Sequence, residues 1–333
     1  MIKMKLNITE KHFVEIVGLI KQARYNAVKN VNKELIDLYW RVGKYVSNKI
    51  SSSEWGKSVI QNLADYIKEE LPMATGFSVQ NIWRMKSFYE EYQGVTILST
   101  LLRELSWSHN LLIIGKCKTS EEREFYIRIT IRDKYSFREL ERQINSCLYE
   151  RVMLSNKSLP PVLKDLKSSD MPVFKDTYML DFLDLPEDFQ ESDLRKSIVK
   201  NLRKFILEFG KDFCLVGEEY KVQVGNNDYF IDLLFYHREL KCLVVVELKT
   251  DDFKPEYIGK LNFYLEALDR DEKKEHENPS VGIILCKSKN NEVVEYALSR
   301  NISPALVAEY KLKLINKELL QKKLHELFEL SES

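Results

Sequence analysis

Three charged side chains sit inside two of the most apolar stretches of the chain. Asp232 lies within F-I-D-L-L-F-Y, residues 230–236, and Glu247 and Lys249 close L-V-V-V-E-L-K, residues 243–249. Runs this rich in Val, Leu, Ile and Phe read as buried strands. A carboxylate or ammonium inside such a strand is costly unless it is paired or bound to a metal. Strand side chains alternate between faces, so Glu247 and Lys249, two residues apart, share one face with Leu243 and Val245. Asp232 is expected on a face with Phe230, Leu234 and Tyr236. A short link, His237-Arg238-Glu239-Leu240, joins the runs and can set Asp232 beside Glu247.

Two neighbouring carboxylates form a hard, oxygen-rich site suited to Mg²⁺, with Mn²⁺ as its substitute. Without a cation they repel, and one of them takes up a proton. Lys249 adds an ammonium able to orient an attacking water and to stabilise charge on phosphoryl oxygens. The spacing D-x14-E-x-K therefore points to metal-dependent phosphodiester hydrolysis. The next segment carries Lys254, Tyr257, Lys260, Asn262 and Tyr264. Tyr257, Lys260 and Tyr264 share a helical face, a cation between hydroxyl donors that suits a phosphate, while the rings themselves pack on the sheet. No G-x-S-x-G, H-E-x-x-H, G-x-x-x-x-G-K-[ST] or G-x-G-x-x-G occurs. Serine hydrolase, zinc protease, P-loop ATPase and dinucleotide dehydrogenase thus lose their usual support.

The elements that must position these residues lie in the second half. Ser192–Phe209 has helical periodicity and ends at Gly210. Strands are expected at Phe213–Val224, Tyr229–Tyr236 and Lys241–Lys249, joined by links short enough for an antiparallel meander. Pro255 opens a helix to Leu268. Val281–Cys286 reads as a strand, Val293–Ser299 as a helix and Leu306–Leu314 as a last strand. The first half is helical: His12–Lys49, Lys57–Leu71, a helix capped by Ser78, then Leu105–Ile114, Glu121–Thr130 and Phe137–Ser155. Residues 156–176, with Pro160, Pro161 and Pro172, form the best linker. The expected division is a helical domain at 1–160, a linker at 161–187 and a mixed α/β domain at 188–333, a small mixed sheet flanked by helices.

The whole chain has 333 residues, 44% of them hydrophobic, enough for one or two cores. Lys and Arg total 51, as do Asp and Glu, so the formal net charge is zero and any nucleic-acid surface must be local. No stretch reaches the roughly 20 apolar residues of a spanning helix. The start carries no apolar segment of signal-peptide type, so a cytoplasmic protein is expected. The five cysteines lack C-x-x-C spacing, which argues against structural zinc or a disulfide framework, and Cys214, Cys242 and Cys286 read as core residues.

The second half resembles the PD-(D/E)xK nuclease superfamily, and more narrowly the YhcG-type family of bacterial proteins with a DUF1016 N-terminal region. The likeness rests on D-Y-F-I-D-L-L-F-Y-H-R-E-L at 228–240, L-V-V-V-E-L-K at 243–249 and F-K-P-E-Y-I-G-K-L-N-F-Y-L at 253–265. In the first half it rests on Y-W-R-V-G-K at 39–44, G-F-S-V-Q-N-I-W-R-M-K-S-F-Y at 76–89, L-S-W-S-H at 105–109 and R-E-L-E-R-Q-I at 138–144. The resemblance implies Asp232 and Glu247 as metal ligands and Lys249 as the catalytic lysine of a DNA endonuclease. A supplementary glutamate is implied too, with Glu191, Glu208 and Glu219 as candidates; Lys260, Tyr257 and Tyr264 complete the supplementary set. Relatives often carry glutamine where this chain has Glu219 and Lys260.

The helical half resembles a helix-turn-helix-like domain. In a DNA-binding role its Ser78 helix would present Gln80, Asn81, Arg84 and Lys86 to bases and phosphates, and Arg123, Arg128, Arg132, Lys134 and Arg138 would add a basic stretch. The alternative for this half is a dimerisation or docking domain. A homodimer, and protein partners of a defence or repair system, are further expectations. The alternative for the whole chain is a catalytically inactive or accessory nucleic-acid-binding or complex-forming protein of the same fold.

Overall fold

A computed structural model describes residues 8–52, 57–94, 100–155, 173–318 and 320–322. Its contacts divide the chain into a helical unit, Met1–Ile144, and a sheet-containing unit, Asn145–Ser333. Of the stretch expected as linker, residues 156–172 lie outside the described residues. Among the described residues no helix is long and apolar enough to cross a membrane.

The helical unit contains α1 (Ile8–Ser51), α2 (Lys57–Glu70), α3 (Val79–Tyr92), α4 (Trp107–Lys116), α5 (Ser120–Asp133) and α6 (Phe137–Asn145), the last running one residue past the division. Ser78 caps α3 as its type requires: its Oγ accepts the Asn81 amide at 3.3 Å. Ile82, Met85, Phe88 and Tyr92 then fall on one buried face. Tyr39, Phe88 and Trp107 pack ring against ring beside it. Gly43 lets α1 and α3 approach closely: a Cβ there would stand 2.0 Å from the Met85 carbonyl oxygen. Gly43→Ala is therefore expected to destabilise this unit by about 1–3 kcal/mol through overpacking. In α4, Gly115 has open space around its Cβ position. Gly115→Ala should be neutral or stabilising by up to about 1 kcal/mol. Urea unfolding of both variants checks the contrast.

The second unit holds a six-stranded sheet in the order β1-β6-β5-β4-β3-β2. The strands are β1 (Thr177–Met179), β2 (Phe213–Val224), β3 (Asn227–His237), β4 (Cys242–Leu248), β5 (Val281–Cys286) and β6 (Ala305–Lys311). β2, β3 and β4 form the expected antiparallel meander, while β4, β5, β6 and β1 run parallel. All seven residues of β4 are buried, as a central strand covered on both faces demands. One face of the sheet packs Leu233, Phe235, Val244, Val246 and Leu248 against α8 (Glu191–Lys200) and α9 (Leu202–Phe209), through Leu194, Ile198, Phe205 and Phe209. The other packs Leu234, Leu243 and Val245 against α10 (Glu256–Asp271), through Ile258, Leu261, Tyr264 and Leu268. α11 (Asn291–Leu298) connects β5 to β6.

Four sequence expectations change. The stripe at 137–155 is two helices, α6 and α7 (Leu148–Ser155), because Cys147 turns to φ 56° and breaks the helix. Arg151 then bonds back to the Ser146 carbonyl at 2.9 Å, which holds the turn. The stripe at 192–209 is likewise two helices, parted at Asn201 (φ −107°, ψ 26°). Within the span expected as linker, Thr177–Met179 joins the sheet as β1, since Tyr178, Met179 and Leu180 are apolar enough to be buried. Cys214 is exposed on edge strand β2, whereas Cys242 and Cys286 are buried as expected.

His237 closes β3 as a structural residue. It is 3% exposed, stands edge-on to Phe213, and its Nδ1 accepts the Leu240 amide at 3.1 Å. Burial lowers its pKa below the ordinary value near 6.5. A depressed imidazole contributes stability that is full above about pH 6.5 and is lost as pH falls toward the folded pKa. The second unit should therefore lose stability on acidification through this window. His237→Asn, which keeps an acceptor for Leu240, should flatten the slope in denaturant midpoints taken between pH 7.5 and pH 5.

Candidate active site

The charged residues of β3 and β4 meet at the carboxyl end of β4, between α8 and α10. Asp232 is tied to the end of β4, where its Oδ2 accepts the Leu248 amide at 2.9 Å. Glu247 is 1% exposed. Burial raises its carboxyl pKa above the usual range, and the nearby Asp232 charge adds to this while Lys260 opposes it. Strict alternation does not hold across Asp232: Ile231 and Leu234, three residues apart, both join the α10-side core. The partner strand is also irregular here. Glu218 pairs with Leu233 and Tyr220 with Ile231, leaving Glu219 opposite Asp232 in a left-handed conformation (φ 45°). Such backbone is costly for a non-glycine residue and persists only where the surroundings impose it.

Each acidic side chain is met by a cation. Lys260 Nζ lies 2.9 Å from Glu247 Oε2. Arg195 of α8 reaches Asp232 Oδ1 at 3.3 Å and Glu219 Oε1 at 2.7 Å. Lys249 is 7% exposed, and its ammonium donates to both Glu191 oxygens at 3.1 and 3.0 Å and to the Leu248 carbonyl at 2.9 Å. It also stands 5.3 Å from the centre of the Tyr257 ring. For Lys260, burial lowers the ammonium pKa, but the Glu247 charge and hydrogen bond more than offset it, and the net direction is up.

One oxygen is left over. Glu247 Oε1 is buried and takes no protein hydrogen bond. A buried carboxylate oxygen without a donor is expensive, and a hard cation is one group that would satisfy it. Among the described residues no group of three or more His, Cys, Asp or Glu is arranged to hold a metal. Asp232 and Glu247 are the neighbouring carboxylates of this cluster, and the charge of each acts on the other. Mg²⁺ commonly binds through one or two carboxylates and keeps several waters.

Of the remaining candidates, Tyr257 and Tyr264 spend their hydroxyls inside the protein. Tyr257 donates to Asp251 at 2.8 Å and Tyr264 to the Phe230 carbonyl at 2.7 Å. Glu191 and Glu219 reach the cluster through Lys249 and Arg195. Glu208 is fully buried and spent on another contact: it pairs with Arg151 at 2.7 Å and accepts the Met179 amide at 3.0 Å. Sequence reasoning missed Arg195. The signal was its place one turn after Glu191 on the same helix face.

In the helical unit, Gln80 and Arg84 are exposed one turn apart on α3. Arg84 lines an open pocket with Ser87, Ser108, Leu111 and Phe137. Asn81 instead bridges the Gly76 carbonyl and the Trp107 indole, at 2.5 and 2.9 Å. Lys86 pairs with Glu90 at 2.6 Å. The basic stretch is also largely paired, Arg123 with Glu91, Arg128 with Glu124 at 2.5 Å and Arg132 with Asp133 at 2.7 Å.

A meander running into a parallel sheet, with acidic and lysine side chains gathered at one strand end between two helices, is the architecture of PD-(D/E)xK nucleases. Two family models match in sequence order. The DUF1016 N-terminal domain covers residues 15–151 and the YhcG PDDEXK nuclease domain covers residues 171–325. The chain belongs to the YhcG-type PD-(D/E)xK nuclease family with a DUF1016 N-terminal domain. It is 29% identical to the Escherichia coli (strain K12) protein named "Putative nuclease YhcG", over 92% of this chain and 90% of that protein.

Two solved structures align over part of the chain, each at 18% identity. One is the crystal structure of a repair endonuclease from Pyrococcus abyssi (TM-score 0.27, 38% of this chain and 50% of that one). The other is EndoMS in apo form (TM-score 0.26, 40% of this chain and 49% of that one). The alignments span about half the length of those two proteins.

Proposed function

We propose that this protein is a metal-dependent DNA endonuclease that hydrolyses phosphodiester bonds with an activated water, acting in the cytoplasm. The observation that carries the reading is the buried, unpartnered Glu247 Oε1 in a cluster with Asp232 and a positioned Lys249. Asp232 and Glu247 would hold Mg²⁺, or Mn²⁺ in its place. When bound, the cation supplies charge neutralisation at the phosphoryl group and lowers the pKa of water. Lys249 keeps its ammonium beside the carboxylates, where it orients the attacking water and faces charge on the phosphoryl oxygens. Glu191 fixes that ammonium, and Arg195 fixes Asp232. The water oxygen forms the new P–O bond, and the P–O bond to the departing sugar oxygen breaks. No covalent enzyme intermediate is required.

For the helical unit, Gln80 and Arg84 are the residues of α3 whose exposure suits DNA contact, with Arg84 reaching a base edge or a phosphate. Asn81 and Lys86 serve that role less well, since both are engaged within the unit. A homodimer is part of the reading, because cutting both strands of a duplex takes two sites. The test is cleavage of duplex, branched and single-stranded DNA with Mg²⁺ or Mn²⁺, comparing wild type with Asp232→Asn and Lys249→Met. Activity unchanged in both variants sinks the assignment. DNA binding without hydrolysis under every metal favours an accessory binding protein.

A further inference from the structure

The cation that holds Glu247 in this structure belongs to the protein itself. Lys260 Nζ lies 2.9 Å from Glu247 Oε2, while Oε1 of the same carboxylate takes no protein hydrogen bond. The carboxylate is thus half satisfied by an ammonium, in the place where a divalent cation would have to bind. A dication at Oε1 would stand within a few ångströms of that ammonium, and like charges at such range in a partly desolvated site repel strongly. Both cannot keep Glu247 in their present arrangement.

The two cations that meet the acidic pair differ in how readily they can leave. Arg195 is held at two points, by Asp232 and by Glu219, and its side chain is 11% exposed. It is a fixed part of the site. The Lys260 side chain is 48% exposed, and among the described residues the carboxylate it pairs with is Glu247. Its flexible stem lies along α10, with the ammonium 5.2 Å from the centre of the Tyr264 ring. Moving that ammonium into water restores its hydration, and what it gives up is the charge-assisted hydrogen bond to Glu247, its contact with Tyr264 and the attraction of the Asp232 charge.

We propose that Lys260 is a displaceable counter-ion of the metal site: it neutralises Glu247 in the cation-free protein and must be expelled when a divalent cation binds. The inference rests on the reading of Asp232 and Glu247 as the cation-holding pair. Its consequence is that Lys260 sets the cation affinity. Removing its charge while leaving the carboxylates in place should tighten binding. An arginine at the same position should not.

The experiment measures Mn²⁺ binding to the full-length chain without DNA, by the EPR signal of free Mn²⁺ and by calorimetry. The variants are Lys260→Gln, Lys260→Arg and Glu247→Gln, each checked for wild-type near-UV circular dichroism. Lys260→Gln is expected to lower the Mn²⁺ Kd by about tenfold, about 1.4 kcal/mol. Lys260→Arg should stay within about twofold of wild type, and Glu247→Gln should lose the site. A Lys260→Gln affinity equal to or weaker than wild type overturns the proposal. So does equal tightening in Lys260→Gln and Lys260→Arg, since charge is then not the cause. If Lys260→Gln fails to fold, Lys260→Met replaces it under the same criteria. Failure here is separable from failure of the nuclease reading. Unchanged Mn²⁺ affinity together with cleavage that depends on Asp232 removes only the role of Lys260, whereas Mn²⁺ binding that survives Glu247→Gln removes both.

Discussion

Lys249→Met is expected to lower the rate of DNA cleavage by about 10²–10³-fold, the usual cost of removing one preorganised charge-stabilising donor. The expectation follows from how the ammonium is held. Two Glu191 oxygens and the Leu248 carbonyl, all within 3.1 Å, set its position before any substrate arrives. A group placed in advance contributes to the transition state without reorganising. Methionine matches the stem in length, so packing against Tyr257 survives. Glu191 loses its partner, but its side chain is 41% exposed and is hydrated at small cost. The variant should fold and should bind DNA within a few-fold of wild type. The loss should appear in kcat, with KM little changed. Asp232→Asn should fall as far, since it keeps an oxygen acceptor for the Leu248 amide but removes the charge. Wild-type turnover in both variants would end the assignment.

Glu208→Ala is expected to destabilise the second unit by about 3–5 kcal/mol, the range for removing one partner of a buried ion pair. Glu208 is fully buried, and the Arg151 side chain is 1% exposed. The guanidinium also donates to the Thr177 carbonyl and to Ser146, so it cannot withdraw to water without opening the turn before α7 and the link to β1. The Met179 amide would lose its acceptor as well. Set against the roughly 5–15 kcal/mol that stabilises an ordinary domain, the loss is a large fraction. Glu208→Gln should fall between, retaining an acceptor but no charge. The double variant Arg151→Met/Glu208→Leu should recover part of the loss, because it removes both members of the closest pair, while Lys175, 3.6 Å from Glu208 Oε1, still loses that contact. Urea midpoints of the four proteins decide it. A loss in Glu208→Ala below about 1 kcal/mol would mean that the pair is not sealed from water.

Much of the architecture was legible because it depends on near neighbours. The turn Gly225-Asn226, the short 237–241 link and the apolar runs beside them specify a meander without reference to the rest of the chain. Val281–Cys286 has the residues of a strand buried on both faces, and it is one. Ser78 precedes an apolar stripe and caps its helix. The charged triad stood out for a related reason, since a charge in a buried strand violates the local pattern and calls for a partner. The two helix breaks were hidden. The residue type at Cys147 announces no turn, and although Asn201 is a turn-compatible residue, apolar periodicity continues across both.

The sequence by itself determined most of the elements and their order, though not β1 or the helix breaks at Cys147 and Asn201, together with the two-sided burial of β4 and the presence of Asp232, Glu247 and Lys249 in two adjacent strands of the meander. Periodicity, turn chemistry and the cost of burying charge act over a few residues, so they can be read from the chain. Only the tertiary structure decided which charge answers which. Lys260 meets Glu247 from 13 residues away, Arg195 meets Asp232 from 37, Lys249 meets Glu191 from 58, and Arg151 meets Glu208 from 57. Those pairings depend on how α7, α8, α9 and α10 dock around the sheet, and a docked helix face is set by the summed packing of many apolar side chains rather than by any one residue's type. That docking commits Glu208 to the core, assigns Glu191 to the catalytic lysine candidate, and leaves one oxygen of Glu247 without a protein partner.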